Sequence, residues 1–365
     1  MPALQALIAE VTHRCPLHCV YCSNPLAMRD TSEELSTEQW ASVFREAAQL
    51  GALQLHLTGG EPLARHDLTD LIGAARSSKL YVNLITSGVG LNDARLDELV
   101  AAGLDHLQLS FQDSTQRTAD LYAGTRAHVL KLRLAAMIRR HRIGFTVNMV
   151  VHRDNIGRLP EMIALAEELG PQRLEIANVQ YYGWAFENRA ALLPTREQVR
   201  ESIAIIEEAQ QRLAGRMRIE FVLPDYYARY PKPCMGGWGN HLLLIDPAGY
   251  ALPCHAARVI PDLVFERVVD RSLESIWRDS AAFNRFRGEG WMQEPCRSCD
   301  RRHLDFGGCR CQAMMLVADA YATDPACTLS PRHSVVEQAL EETQRERPTP
   351  LIAKDLVFRI QRSAP

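Results

Sequence analysis

Three cysteines near the start of the chain, Cys15-x-x-x-Cys19-x-x-Cys22, are spaced to hold a metal cofactor. A cubane iron–sulfur cluster has four irons, each normally filled by a thiolate, so three cysteines leave one iron open to an exchangeable ligand. Zinc usually takes four ligands in paired Cys-x-x-Cys or Cys/His spacings, and here only His13 or His18 lies near enough in sequence to complete such a set. A thioredoxin-type dithiol would use Cys19 and Cys22 and leave Cys15 unexplained. The other seven of the ten cysteines are Cys234, Cys254, Cys296-x-x-Cys299, Cys309-x-Cys311 and Cys327. Disulfides suit them poorly, since one residue separates Cys309 from Cys311. Zinc ribbons satisfy part of the spacing. Iron–sulfur ligation extends the chemistry inferred for the first group.

The elements that must position these residues alternate in type. Apolar or β-branched runs predict strands at Ala6–Thr12, Leu53–Thr58, Tyr81–Thr86, His106–Phe111, Gly144–Val151 and Arg173–Val179. Amphipathic stretches predict helices at Thr37–Leu50, Leu68–Ser77, Asn92–Ala102, Arg126–His141, Ile156–Leu169 and Thr195–Leu213. Six βα units imply a parallel sheet covered by helices, either open or curved into part of a barrel. The first cysteines then follow the first strand, in a βα loop where such folds place their chemistry. Thr58-Gly59-Gly60-Glu61-Pro62 ends the second strand, and its glycines would let a ligand approach the backbone while Glu61 accepts from an ammonium group. After Leu223 the chain turns rich in Pro, Gly, Tyr and Cys. A helix is predicted near Ser334–Arg345 and a short apolar run at Asp355–Ile360. The expected division is residues 1–223, 224–333 and a tail, 334–365.

Bulk properties exclude several classes. Apolar residues at 47% and charged residues at 23% exclude a disordered or fibrous chain. A formal net charge of -3 offers no field to draw nucleic acid or an anionic membrane. The N-terminus lacks the pattern of a secretion signal, and no apolar run approaches the roughly 20 residues that span a bilayer. A soluble, cytoplasmic protein is expected, and in that reducing compartment ten cysteines call for a metal or redox role.

The cysteine loop followed by Gly59-Gly60-Glu61-Pro62 resembles the radical S-adenosylmethionine (SAM) superfamily. The resemblance implies an α/β fold, a partial (β/α)6 TIM-type barrel. It also implies a 4Fe-4S cluster on Cys15, Cys19 and Cys22 whose open iron is chelated by SAM. Thr58, Gly59, Gly60 and Glu61 would hold the methionine part and Tyr21 would lie near the adenine. Ser87, Ser110, Gln112 and Asn148, at strand ends facing the same mouth, would meet ribose and carboxylate, although each also suits ordinary loop capping.

The downstream cysteines resemble the loop-rich SPASM auxiliary-cluster domain, whose central motif is Cys-x2-Cys-x5-Cys-x3-Cys. Cys296, Cys299 and Cys309 take three of its positions, and Asp305 takes the third in order. The family arrangement implies one auxiliary cluster, 2Fe-2S or 4Fe-4S, on Cys234, Cys254 and Cys309, to which Cys311, additional to the central motif, can supply the fourth ligand. It implies a second, 4Fe-4S, on Cys296, Cys299, Asp305 and Cys327; the alternative for Asp305 is an ion pair with Arg301 or Arg302.

Longer stretches are more specific. THRCPLHCVYCSNP, PDYYARYPKPCMGGWG, LPCHAA, EPCRSCDRRHLDFGGCRCQA and TDPAC resemble the PqqE family of pyrroloquinoline quinone (PQQ) synthesis. That resemblance implies a peptide cyclase that joins a Glu γ-carbon to a Tyr ring within the PqqA precursor peptide. It also implies the peptide chaperone PqqD and a flavodoxin-type electron donor as partners.

Overall fold

A computed structural model describes residues 3–344 and 356–359. Its frame is a nine-stranded sheet in the order β7-β6-β5-β4-β3-β2-β1-β8-β9. The strands are β1 (Ala6–Thr12), β2 (Gln54–Gly59), β3 (Tyr81–Thr86), β4 (His106–Phe111), β5 (Gly144–Val151), β6 (Arg173–Asn178), β7 (Arg218–Val222), β8 (Leu242–Ile245) and β9 (Ala251–Leu252). All neighbours pair parallel except β8 with β9. Every parallel step needs a crossover, and the helices supply it. They are α1 (Thr37–Gln49), α2 (Leu68–Ser77), α3 (Asp93–Ala102), α4 (Gln116–Ala123), α5 (His128–Arg140), α6 (Leu159–Leu169), α7 (Gly183–Glu187), α8 (Arg189–Leu192) and α9 (Arg196–Arg212).

Strand alternation sorts the side chains. Leu7, Ala9 and Val11 of β1, Leu107, Leu109 and Phe111 of β4, and Phe145, Val147 and Met149 of β5 enter one continuous core with the helices. Period two therefore turns Thr58, Ser110 and Asn148 to the opposite face. Helix starts follow their sequence signals: Ser36 and Thr195 each form a capping box with the glutamine three residues on.

Three features depart from the sequence expectation. The strand β7 and the helix α4 form where loop was expected; α4 is short and is stopped by Gly124 in the left-handed region. The strand β8 lies parallel beside β1, so the sheet continues past the boundary expected at residue 223. The C-terminal segment also contains α10 (Leu273–Asp279), α11 (Ala281–Asn284), α12 (Arg302–Asp305) and α13 (Arg310–Val317). The helix expected to run to Arg345 is α14 (Ser334–Glu342), and Arg345 lies outside the described residues, as do Asp355 and Ile360. Among the described residues no helix is long and apolar enough to cross a membrane.

Candidate active site and auxiliary metal centres

The first three cysteines sit on the loop leaving β1, and the GGEP turn holds that loop from below. Gly60 N donates to Thr12 O at 2.7 Å and Glu61 N to Arg14 O at 2.7 Å. The glycines are needed for this approach: a Cβ on Gly60 would stand 2.2 Å from Arg14 O, and one on Gly59, at φ +118°, 2.3 Å from Thr12 O. What comes close to the glycine pair is thus the cysteine loop's own backbone. The far side of the loop hangs on α4, through His18 N to Ala123 O at 2.8 Å and Val20 N to Tyr122 O at 3.2 Å. Asn24 Nδ2 donates back to Gly59 O at 2.9 Å.

Glu61 is buried and its carboxylate accepts four hydrogen bonds. Thr86 Oγ1 and Leu63 N reach Oε1 at 2.6 and 3.1 Å; Ser87 N and Ser87 Oγ reach Oε2 at 2.8 and 2.5 Å. A carboxylate offers about four acceptor sites, so Glu61 here braces the ends of β2 and β3. Burial still raises its pKa above the ordinary carboxylate value, against the pull of Ser87 and Thr86. Ser110 and Gln112 meet at a residue the sequence reading passed over, Lys131 of α5. Its fully buried ammonium donates to Ser110 O at 2.8 Å and to Gln112 Oε1 at 2.7 Å. Burial lowers Lys131 to about 8, while Cys19 and Glu61 favour its charge. Asn148 hydrogen-bonds Glu175 on the neighbouring strand. The Tyr21 hydroxyl is enclosed, and its ring lies 6.1 Å from His152, which stacks on Tyr122 at 3.9 Å.

All ten cysteines are free thiols. In the first group burial is the leading influence: it pushes Cys19 up to about 12, with Cys22 and Cys15 adding to the rise, and it raises Cys15 and Cys22 as well. Thiols so placed ionise only with help from positive charge, which iron would supply and which Lys131 and Arg359 begin to supply. Three soft donors in one ordered loop, beside buried cations, fit an iron–sulfur cluster.

The seven later cysteines separate into two neighbourhoods. Cys254 Sγ and Cys311 Sγ are 3.7 Å apart, and Cys309 interacts with Cys311 and Cys234. Tyr182, on the loop after β6, places its hydroxyl 3.2 Å from Cys309 Sγ and its ring edge-on to His255 at 5.6 Å. Buried Asp324 fixes the start of α13, accepting from Cys309 N at 2.7 Å and Gln312 Nε2 at 2.8 Å. Cys296, Cys299, Asp305 and Cys327 line a second pocket with Tyr230 and Thr323. Asp305 accepts from Gly307 N at 3.1 Å, and its other oxygen is 3.6 Å from Arg301 Nε; Arg302 pairs with Glu289. Cys234, Cys254, Cys309 and Cys311 thus share one neighbourhood, and Cys296, Cys299, Asp305 and Cys327 share the other. Among the described residues no three His, Cys, Asp or Glu side chains close on a single-ion site.

The cysteine loop and its brace at the strand ends, with a second cysteine-bearing segment beside β1, define a radical SAM protein with an auxiliary iron–sulfur domain. The Radical SAM superfamily model matches residues 9–166, and the SPASM model, an iron–sulfur cluster-binding domain, matches residues 234–300. A PqqA peptide cyclase of Gluconobacter oxydans (strain 621H) is 52% identical over 345 residues, 94% of this chain and 96% of that protein. One from Ruegeria pomeroyi (strain ATCC 700808 / DSM 15171 / DSS-3) is 54% identical over 342 residues, 93% and 91% of the two chains. Streptococcus suis SuiB, solved bound to S-adenosylmethionine, shares the fold with a TM-score of 0.75 at 18% identity, covering 90% of this chain and 78% of that one. The chain belongs to the PqqA peptide cyclase family of radical SAM enzymes.

Proposed function

We propose that this chain catalyses the first step of PQQ synthesis, joining the γ-carbon of a Glu to the ring of a Tyr within PqqA. The observation that carries the reading is the three-thiol loop locked onto the GGEP turn, in a chain half identical to PqqA peptide cyclases along nearly its whole length. Cys15, Cys19 and Cys22 would hold a 4Fe-4S cluster, and SAM bound there supplies a 5'-deoxyadenosyl radical when one electron enters. In this reading Ser87, Ser110, Gln112, Asn148 and Tyr21 surround SAM, Glu61 orients the strand ends, and Lys131 offers its remaining N–H to an anionic group. The peptide loses one hydrogen atom from the Glu γ-carbon. The carbon radical adds to the Tyr ring, and rearomatisation releases one proton and one electron. Net loss is two hydrogens, one carried off in 5'-deoxyadenosine.

Cys234, Cys254, Cys309 and Cys311 would hold an auxiliary iron–sulfur cluster, which would supply one-electron redox chemistry there, and Tyr182 forms the near wall of that site. A second cluster would use Cys296, Cys299, Asp305 and Cys327. Residues 1–223 would serve as the radical-generating domain, 224–333 as the auxiliary domain and 334–365 as the tail, in a cytoplasmic enzyme served by PqqD and a flavodoxin-type donor. The test is mass spectrometry of PqqA incubated with reduced protein, SAM and PqqD. A two-hydrogen mass loss mapping to Glu and Tyr is expected, and an unmodified peptide alongside active SAM cleavage refutes the assignment. Unchanged spectra in Asp305→Ala refute Asp305 as a ligand.

A further inference from the structure

The tail returns to the cysteine loop. Leu356 packs into the cluster of Val20 and Tyr122. Val357 is pinned from both sides by Asn188, which accepts from Val357 N at 2.8 Å and donates to Val357 O at 2.7 Å while also donating to Val20 O at 2.8 Å. His18 Nδ1, between Cys15 and Cys19, donates to Arg359 O at 2.8 Å. This short strap delivers the Arg359 guanidinium, 4% exposed, to the loop's interior. There Nη2 reaches His13 O at 2.5 Å and Met28 Sδ at 3.2 Å, and Nε–H has no acceptor among the described residues.

Neither acceptor carries charge, and a buried guanidinium without a counter-charge is strongly unfavourable. The loop it enters carries Cys15, two residues beyond His13, and Cys19 and Cys22 further on, so the groups able to supply a counter-charge among the described residues are the ligands of the proposed cluster. We propose that Arg359 is the resident counter-ion of the Cys15–Cys19–Cys22 cluster, a positioning residue held by the C-terminal strap that favours the cluster's reduced state and shields it. The inference rests on the reading that these cysteines hold a 4Fe-4S cluster. A cation and an N–H donor beside a cluster both stabilise its more negative, reduced form and raise its potential.

The experiment uses full-length, iron-reconstituted protein. The electron paramagnetic resonance signal that changes on adding SAM identifies this cluster among the others, and its reduced fraction is followed against potential. Arg359→Gln is expected to lower the reduced-to-oxidised ratio about tenfold at fixed potential, a shift of about 59 mV for one electron. It is also expected to speed iron loss to a ferrous chelator. Arg359→Lys keeps the charge and is expected to stay near wild type. An intact cluster with unchanged potential in Arg359→Gln overturns the inference and leaves the cluster assignment standing. Should Arg359→Gln lose its iron, Arg359→Lys decides: iron retained at near wild-type potential supports the counter-ion, and iron lost there too overturns it. A wild-type protein without a SAM-responsive signal overturns the cluster assignment itself.

Discussion

Glu61 distinguishes a turn that grips a ligand from a turn that braces two strands. Replacing it with alanine removes the acceptor of two backbone N–H groups, Leu63 and Ser87, and of two hydroxyls, Thr86 and Ser87. The hydroxyls can rotate to other acceptors; the amide hydrogens cannot. Each orphaned buried donor costs about 1–3 kcal/mol, so Glu61→Ala is expected to lose about 4 kcal/mol of stability. Glu61→Gln keeps one oxygen for Thr86 and Leu63 and turns an amide N–H toward Ser87 N–H, a loss of about 2 kcal/mol.

The pH dependence has a definite sign. Burial raises the Glu61 pKa above its ordinary 4.5. Its contribution to stability is therefore fully present below that value and declines as pH rises through the folded-state pKa. Glu61→Gln cannot follow, so its deficit against wild type is expected to narrow from pH 4.5 upward. Urea unfolding of both variants at matched iron content, at several pH values, measures this, with calorimetric SAM binding beside it. Glu61→Ala within about 0.5 kcal/mol of wild type would place it among ordinary surface changes. With SAM affinity lost at the same time, that result would refute the brace and assign the carboxylate to the ligand.

Lys131→Met is expected to weaken SAM binding about ten- to hundredfold, the worth of a hydrogen bond to a charged group. Because Lys131 is lowered to about 8, the wild-type advantage should shrink between pH 7 and pH 9; equal affinities by calorimetry would remove Lys131 from the site. Tyr182→Phe deletes the hydroxyl at 3.2 Å from Cys309 Sγ and is expected to lower the potential of the auxiliary cluster proposed there while its iron content stays. Gly60→Ala, which drives a Cβ to 2.2 Å from Arg14 O, is expected to abolish iron binding at the first site only. Gly73→Ala, on α2 with nothing within 4 Å of the new Cβ, should instead stabilise the fold by about 0.5–1 kcal/mol. Metal analysis and unfolding curves separate the two glycines.

The sequence made most of this frame legible because its signals are local. Alternation of Leu107, Leu109 and Phe111 with His106, Gln108 and Ser110 names both the strand and the face that points inward. Cysteine spacing likewise names the donors before any of them is placed. What escaped is set by contacts distant in sequence: β8 finds its partner more than two hundred residues upstream, and four apolar residues in a Gly-rich stretch carry no period that says so.

The buried cations near the first cysteines, Lys131 and Arg359, escaped for different reasons. Lys131 did leave a trace, since His128, Lys131, Leu134, Ala135 and Ile138 form one buried stripe of α5. A lysine three and four residues from apolar neighbours on the inward face is either a mistake of folding or a charge with something to meet. Cys19, Glu61, Cys15 and Asp120 are the acidic groups that favour its charge, which turns the anomaly into a pointer toward the site. Arg359 has no such trace. Among the described residues 356–359 no helix or strand forms, and only the fold shows that its guanidinium ends beside Cys15. A charged side chain's burial is therefore readable when a periodic element fixes its direction, and invisible when a strap does.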